Sequence, residues 1–245
     1  MRKKVIIINF CKNCNKPLNE KQIKKKNIFC SKGCATSFRQ KAHDPNPENL
    51  NNKDLLFYIL GLIWSDGNLS KEEDRISITL NDYDLIKKIF PYFSDTQKRK
   101  IYSYKKSNTI INSNIDFINF CKNLNLIPNK SKTVTFPPIP SKYYNSFIRG
   151  IFDGDGSVYI QNTYKEKKYI GVTILSANKN FLLEIQKILK NNKIENNIIL
   201  DCRESVFCLK IYKQQSIMNF YNYIYSNTDY YLQRKKDKFL IKDIV

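Results

Sequence analysis

Residues 53–67 read Lys53-Asp-Leu-Leu-Phe-Tyr-Ile-Leu-Gly-Leu-Ile-Trp-Ser-Asp-Gly67, and residues 142–156 read Lys142-Tyr-Tyr-Asn-Ser-Phe-Ile-Arg-Gly-Ile-Phe-Asp-Gly-Asp-Gly156. The two stretches align at an offset of 89 positions, which pairs Asp66 with Asp155. Each is an apolar helical pattern in which a small residue recurs at i and i+4, Gly61 with Ser65 and Gly150 with Gly154. The residues downstream of each stretch align too. Polar-apolar alternation predicts strands at Arg75-Ile-Ser-Ile-Thr-Leu in one half, and at Ser157-Val-Tyr-Ile-Gln and Lys168-Tyr-Ile-Gly-Val-Thr-Ile in the other. Amphipathic helices are expected at Asp82 to Phe93 and Asn178 to Lys190. Further strands are expected at 98–104 and 108–112, then at 195–202 and 205–212. A last helix closes each unit, with Phe117 and Phe120 in the first and Ile217 and Phe220 in the second. The expected architecture is α+β: two pseudo-symmetric αββαββα repeats, at 47–140 and 141–245, behind an amino-terminal segment 1–46.

A helical glycine costs up to about 1 kcal/mol relative to alanine, so Gly61 and Gly150 point to close backbone approach between the two helices. Aspartate in a last helical turn meets the negative end of the helix dipole, and the glycine after it is expected as a left-handed terminator. Stability alone would not select aspartate there twice. Packing of the small-residue faces about a pseudo-twofold axis brings Asp66 and Asp155 side by side, where two carboxylates repel unless a cation joins them. Oxygen ligands without histidine favour Mg2+ or Mn2+ over zinc.

Lys and Arg number 42 against 22 Asp and Glu, a formal charge of +20, which points to a polyanionic partner. Fifteen Phe and 16 Tyr supply a real core, and no apolar run is long enough to span a membrane. Met1-Arg-Lys-Lys with Val5 to Ile8 is too short for a signal peptide, so an intracellular location is expected. With one histidine, His43 in the polar stretch Lys41-Ala-His-Asp-Pro-Asn-Pro, histidine-rich metal nucleases are excluded and Ser-His-Asp or Cys-His chemistry is disfavoured.

Cys11, Cys14, Cys30 and Cys34 form C-x2-C, a 15-residue spacer and C-x3-C. Two close pairs suit tetrahedral zinc, because each short pair offers two thiolates from one side of the ion. Segment 1–42 is too poor in apolar residues to fold without such help, and Phe29 to Gln40 reads as a knuckle entering a helix, similar to treble-clef zinc modules. Two disulfides in an exported protein are the alternative. Cys121, Cys202 and Cys208, isolated in apolar patterns, are expected as buried thiols.

The motifs Leu60-Gly-Leu-Ile-Trp-Ser-Asp-Gly and Arg149-Gly-Ile-Phe-Asp-Gly-Asp-Gly resemble the signature helices of the single-chain LAGLIDADG homing endonucleases. The likeness extends to Pro128-Asn-Lys-Ser-Lys, Phe136-Pro-Pro-Ile-Pro and Tyr231-Leu-Gln-Arg-Lys-Lys-Asp-Lys-Phe. It implies that Asp66 and Asp155 bind the divalent metals of phosphodiester hydrolysis. It also implies that a basic residue after the third helix of each repeat assists at the scissile phosphate: Lys130 and Lys235, with Lys132 and Lys236 close enough to leave the register open. The first motif departs from the pattern in carrying Trp64 where the second has Asp153.

The resemblance further implies saddle-like antiparallel sheets whose polar faces lie in the major groove of double-stranded DNA. Arg75, Ser77 and Thr79 are the candidate base readers of the first repeat; Ser157, Tyr159, Gln161, Thr163, Lys210 and Tyr212 are those of the second. Because the repeats differ at nearly every such position, a monomer acting on a long, loosely palindromic target is expected. The basic spacer Lys21-Gln-Ile-Lys-Lys-Lys allows the zinc module to extend the DNA footprint; a purely structural cap is the alternative. The same scaffold also serves catalytically silent DNA-binding regulators and RNA maturases.

Overall fold

The computed structural model describes residues 9–12, 14–35, 44–162, 168–200 and 206–240, with backbone alone at 161, 162, 168 and 200. His43, Thr163 and Cys202 lie outside these residues, and the side chain of Gln161 lies outside the description. A short helix α1 (Glu20–Lys24) belongs to the cysteine-bearing segment. The first repeat runs α2 (Lys53–Asp66), β1 (Gly67–Leu69), β2 (Ile76–Leu80), α3 (Tyr83–Phe93), β3 (Tyr102–Tyr104), β4 (Ser107–Asn112) and α4 (Ile115–Asn123). The second runs α5 (Tyr144–Asp155), β5 (Gly156–Asn162), β6 (Lys168–Ser176), α6 (Lys179–Asn191), β7 (Asn197–Leu200), β8 (Phe207–Ile211) and α7 (Gln214–Tyr225), then the short α8 (Gln233–Asp237). Each repeat folds an antiparallel four-stranded sheet in the same order, β1-β2-β4-β3 and β5-β6-β8-β7. The αββαββα reading therefore holds twice over.

Local chemistry accounts for the element ends. Asn52, Asn114 and Asn178 each accept from backbone N–H groups in the first turn of α2, α4 and α6. Alternation in β2 sends Ile76, Ile78 and Leu80 inward, where Leu85, Ile86, Ile89 and Phe93 of α3 meet them in one core. The strand expected at 98–104 starts only at Tyr102, because the chain before it turns around a buried carboxylate. Asp44 accepts from the Asp95 and Ser113 N–H groups and pairs with Arg99 at 2.7 Å. Asp44 and the residues after it are thereby a strap on the first repeat, reinforced where Asn112 donates to the Pro45 carbonyl. Strands β7 and β8 likewise start two residues after the expected spans do, at Asn197 and Phe207.

Helices α2 and α5 pack on each other through their small residues. A Cβ placed on Gly61 would stand 2.2 Å from the Phe147 carbonyl oxygen and 2.7 Å from the Gly150 Cα; one on Gly150 would stand 2.3 Å from the Tyr58 carbonyl oxygen. Gly154 serves the same purpose toward Ser65, whose hydroxyl lies 2.1 Å from the would-be Cβ and donates to the Gly61 carbonyl.

The expectation for the glycines that end these helices is overturned. Gly67 has φ −85° and Gly156 φ −89°, both extended, and no described glycine is left-handed. Glycine is required there for space. The strand leaves the helix so sharply that a Cβ on Gly67 would fall 2.5 Å from the Ile63 backbone, and one on Gly156 2.2 Å from the Phe152 ring.

A buried polar network ties the repeats together. Arg149, wholly buried, pairs with Asp54 at 2.7 Å, donates to the Ile224 carbonyl, and lies over the Tyr58 ring. Ser146 and Thr228 also donate to Asp54. Burial pushes the Asp54 carboxyl up, but Arg149 and these hydroxyls outweigh it and hold it below the ordinary value. Its contribution is thus present at neutral pH and lost on acidification through that lowered pKa. Asp54→Ala leaves the Arg149 guanidinium buried without its counter-ion, and a loss of about 3–5 kcal/mol is expected. A denaturant melt checks this; a loss under about 1 kcal/mol would mean that the guanidinium escapes to water.

Candidate active site

The small-residue contact delivers both motif aspartates to one end of the α2–α5 interface. Asp66 Oδ2 would lie 2.7 Å from a Cβ on Gly154, one residue before Asp155, so the first repeat's carboxylate rests against the second repeat's motif. Both aspartates open to solvent, yet protein surrounds them on their other sides. Burial is the main force raising both carboxyls, and the negative charge of Asp66 adds to it at Asp155, which is pushed up to about 6. Lys130 and Lys235 oppose both shifts.

Hydrogen bonding distinguishes Lys130 and Lys235 from their neighbours Lys132 and Lys236. Lys130 is buried and donates to the Ser65 and Gly67 carbonyls at the end of α2. Lys235 is buried and donates to the Phe152, Asp153 and Gly154 carbonyls at 2.8, 2.7 and 3.0 Å, at the end of α5. Each ammonium thus sits at the negative end of its own repeat's motif helix. Lys132 is exposed, and Lys236 lies over the Tyr231 ring, 3.8 Å from its centroid; neither turns to the helix end. Burial lowers the Lys130 ammonium, against the pull of Asp155 and Asp66. Burial brings Lys235 down to about 8, opposed first by Asp153. The arrangement is two carboxylates from two repeats, backed by two cations nearly related by the pseudo-twofold. A cleft of about 280 Å³ opens beside Asp155 and Lys130, with Trp64 and Phe181 in its walls.

Trp64 and Asp153, equivalent under the 89-residue offset, do matching work with opposite polarity. Asp153 accepts from the Leu232 N–H at 2.8 Å, three residues before Lys235. Trp64 donates its indole N–H to the Thr135 carbonyl at 3.0 Å, five residues after Lys130. Asp153 also accepts from the Tyr58 and Tyr225 hydroxyls and is almost wholly buried, which makes it a fastening for the lysine-bearing segment and separates it from the exposed aspartate pair. The motif alignment carried the Trp64–Asp153 equivalence, but their backbone partners lie beyond any local pattern.

The sheet faces turned away from the core carry most of the candidate base readers. Ser77 and Thr79 point outward from β2, and the Thr79 hydroxyl bonds that of Thr109 at 2.8 Å. Arg75 precedes β2, is exposed, and stands 3.9 Å from Asp74. In the second sheet the register sets Ser157, Thr173, Lys210 and Asn197 in one polar row across four strands. Tyr212 accepts from Asn197 at 2.9 Å. Tyr159 lies down over Gly171, where a Cβ would meet its ring at 2.1 Å, so this ring covers the sheet surface. Thr109, Tyr102, Thr173 and Asn197 share these faces and were missed, because only the pairing register places them there.

The four amino-terminal cysteines also converge. Their sulfurs all lie within 4.8 Å of one another, with Cys14–Cys30 at 3.5 Å and Cys30–Cys34 at 3.4 Å. Tetrahedral zinc with Zn–S bonds of about 2.3 Å requires sulfur separations of about 3.8 Å, so the donor set fits zinc. Asn15 takes a left-handed φ of 55° to turn the first knuckle, and Gln22 of α1 donates to the Cys30 carbonyl at 2.7 Å to fasten the second. Cys121 and Cys208 are buried thiols, as expected.

Residues 142–225 match the LAGLIDADG-like domain family. No curated protein matches the sequence. Among solved structures, a mesophilic variant of the homing endonuclease I-DmoI is similar at 22% identity and a TM-score of 0.52, over 73% of this chain and 94% of that one. I-DmoI in complex with DNA and Mn is similar at 22% identity and 0.52, over 73% of this chain and 100% of that one. Full-length DUF199/WhiA from Thermatoga maritima is similar at 16% identity and 0.51, over 85% of this chain and 66% of that one. Residues 142–225 are thus a LAGLIDADG-like domain, and the chain around them has the two-repeat fold seen in the homing endonuclease I-DmoI.

Proposed function

We propose that this protein is a site-specific endonuclease that cuts both strands of duplex DNA at a long, pseudo-palindromic target, as a monomer serving a mobile element inside the cell. The observation that carries the reading is the convergence of Asp66 and Asp155, from separate repeats, in front of the buried Lys130 and Lys235. Asp66 and Asp155 would hold Mg2+ or Mn2+. When bound there, the ion supplies Lewis acidity, a water of lowered pKa and charge neutralisation at the phosphate oxygens. Lys130 and Lys235 hold the helix ends that present the carboxylates, and their positive charge favours the negative charge that builds up at the phosphate. The outward residues of the two sheets bind the half-sites, and the +20 charge draws in the duplex. The pseudo-twofold of the repeats matches the twofold of a palindromic duplex.

The test is cleavage of a randomised duplex library with Mg2+, Mn2+ and no metal. Double-strand cuts at one discrete sequence, only with metal, are expected. Specific binding with no cut in either metal would replace this reading with a DNA-binding regulator, and preference for structured RNA would replace it with a maturase.

The zinc site is a structural one in this reading. Atomic emission is expected to find one zinc per chain, and Cys30→Ser to release it with loss of amide protection confined to residues 9–35. Retained zinc in that variant would defeat the four-cysteine assignment.

A further inference from the structure

Asp82 occupies the N-cap position of α3, yet its side chain makes no capping hydrogen bond. Its pseudo-symmetric counterpart Asn178 caps α6 by accepting from the Asn180 and Phe181 N–H groups. Both oxygens of Asp82 go instead to Arg234, which donates from Nε at 2.7 Å and from Nη2 at 2.9 Å. Arg234 belongs to the other repeat and immediately precedes Lys235. Farther along the same helix, Lys88 donates to the Asp229 carbonyl and lies 5.2 Å from the Tyr230 ring centroid. A first-repeat helix therefore grips residues 229–234 at two points, leaving one of its own N–H groups without the cap that an acidic N-cap residue ordinarily provides.

The reverse contact exists but is weaker in kind. Asn178 donates from Nδ2 to the Lys132 carbonyl at 3.1 Å, so the second repeat touches the lysine-bearing segment of the first through one neutral hydrogen bond. Each lysine segment is held by the opposite repeat, one through a bidentate ion pair and one through an amide.

We propose that Asp82 and Arg234 are positioning residues through which the first repeat sets Lys235 against the end of α5, so that cleavage of one DNA strand depends on a latch that cleavage of the other does not use. The inference rests on the endonuclease reading. In that reading each lysine, related to the other by the pseudo-twofold, serves one strand, so loosening one lysine slows one strand. A displacement near 1 Å in a catalytic constellation lowers a rate by up to about a hundredfold.

Asp82→Asn separates positioning from stability, because asparagine is as good an N-cap as aspartate but cannot hold the guanidinium with charge. The substrate is a supercoiled plasmid carrying the site that the wild-type protein selects. Wild type is expected to give linear product with little nicked intermediate. Asp82→Asn and Arg234→Ala are expected to accumulate nicked circles, with one strand slowed about tenfold or more, and the melting temperature of Asp82→Asn is expected to hold or rise. The exchanged pair Asp82→Arg with Arg234→Asp is expected to restore linear product. Amide exchange over residues 229–237 is expected to quicken in Asp82→Asn, a readout that needs no DNA.

Equal slowing of both strands, or a defect in Arg234→Ala without one in Asp82→Asn, would overturn the proposal, the latter by making Arg234 a direct phosphate contact. Unchanged exchange over 229–237 would overturn it as well. A wild type that cuts nothing would remove the endonuclease reading and this inference with it, an outcome distinct from all the others.

Discussion

Asp66→Asn and Asp155→Asn are each expected to abolish double-strand cleavage while leaving specific DNA binding in place. A divalent ion held by two carboxylates contributes several kcal/mol of charge stabilisation to the transition state, and each 1.36 kcal/mol is a factor of ten in rate. A fall of at least about a thousandfold is expected from losing one of only two such ligands. Binding is expected to persist because the proposed contact surface is carried by the sheets and the positive charge. The same substitutions are expected to stabilise the metal-free protein. The folded pKa of Asp155 is raised to about 6, first by burial and then by Asp66. Its ionised form is therefore a destabilising element, absent below the unfolded pKa near 4 and fully present above about 6. Metal-free wild type should lose stability as pH rises through that window, and Asp155→Asn should not. Thermal melts in chelator at pH 4.5 and 7.5 check the sign; a variant less stable than wild type at pH 7.5 would contradict the electrostatic account. Added Mg2+ is expected to raise the midpoint of the wild type more than that of either variant.

Gly150→Ala and Gly61→Ala are expected to be among the most damaging single substitutions in the chain. In an isolated helix the change would help by about 1 kcal/mol, so the sign of the effect is diagnostic. Here the new methyl carbon meets backbone: the Tyr58 carbonyl oxygen at 2.3 Å for residue 150, and the Phe147 carbonyl oxygen at 2.2 Å for residue 61. No rotamer change relieves a clash with a backbone atom, so α2 and α5 must separate along their whole contact. That separation loosens the packing of Leu62 and Phe147 and pulls Asp66 away from Asp155. A loss of more than about 3 kcal/mol is expected, with cleavage lost together with stability. Ser65→Ala is the contrasting control, since it removes only a hydroxyl bonded within its own helix. A Gly150→Ala protein as stable as wild type would mean that the helices do not meet at this residue.

The repeat, the two motif helices, the aspartate pair and the cysteine quartet were legible in the sequence because each rests on short-range periodicity or spacing. An apolar face recurs every turn, a strand alternates every residue, and a metal knuckle needs its two thiolates a few residues apart. The offset of 89 positions then placed Asp66 with Asp155 without any coordinates. Tertiary structure alone decided the rest, since those features depend on partners far away in the chain. Lys130 and Lys132 look alike in sequence, and only the turn that buries one of them against the Ser65 and Gly67 carbonyls separates them. Gly67 and Gly156 were expected for their left-handed freedom and proved necessary for want of space, because the sharp exit of the following strand is set by the sheet it joins. Asp54 with Arg149, and Asp82 with Arg234, are charge pairs 95 and 152 positions apart. No local pattern announces such a pair. Asp54 meets Arg149 because α2 and α5 pack on their glycine faces, and Asp82 meets Arg234 because the start of α3 lies against α8 of the other repeat.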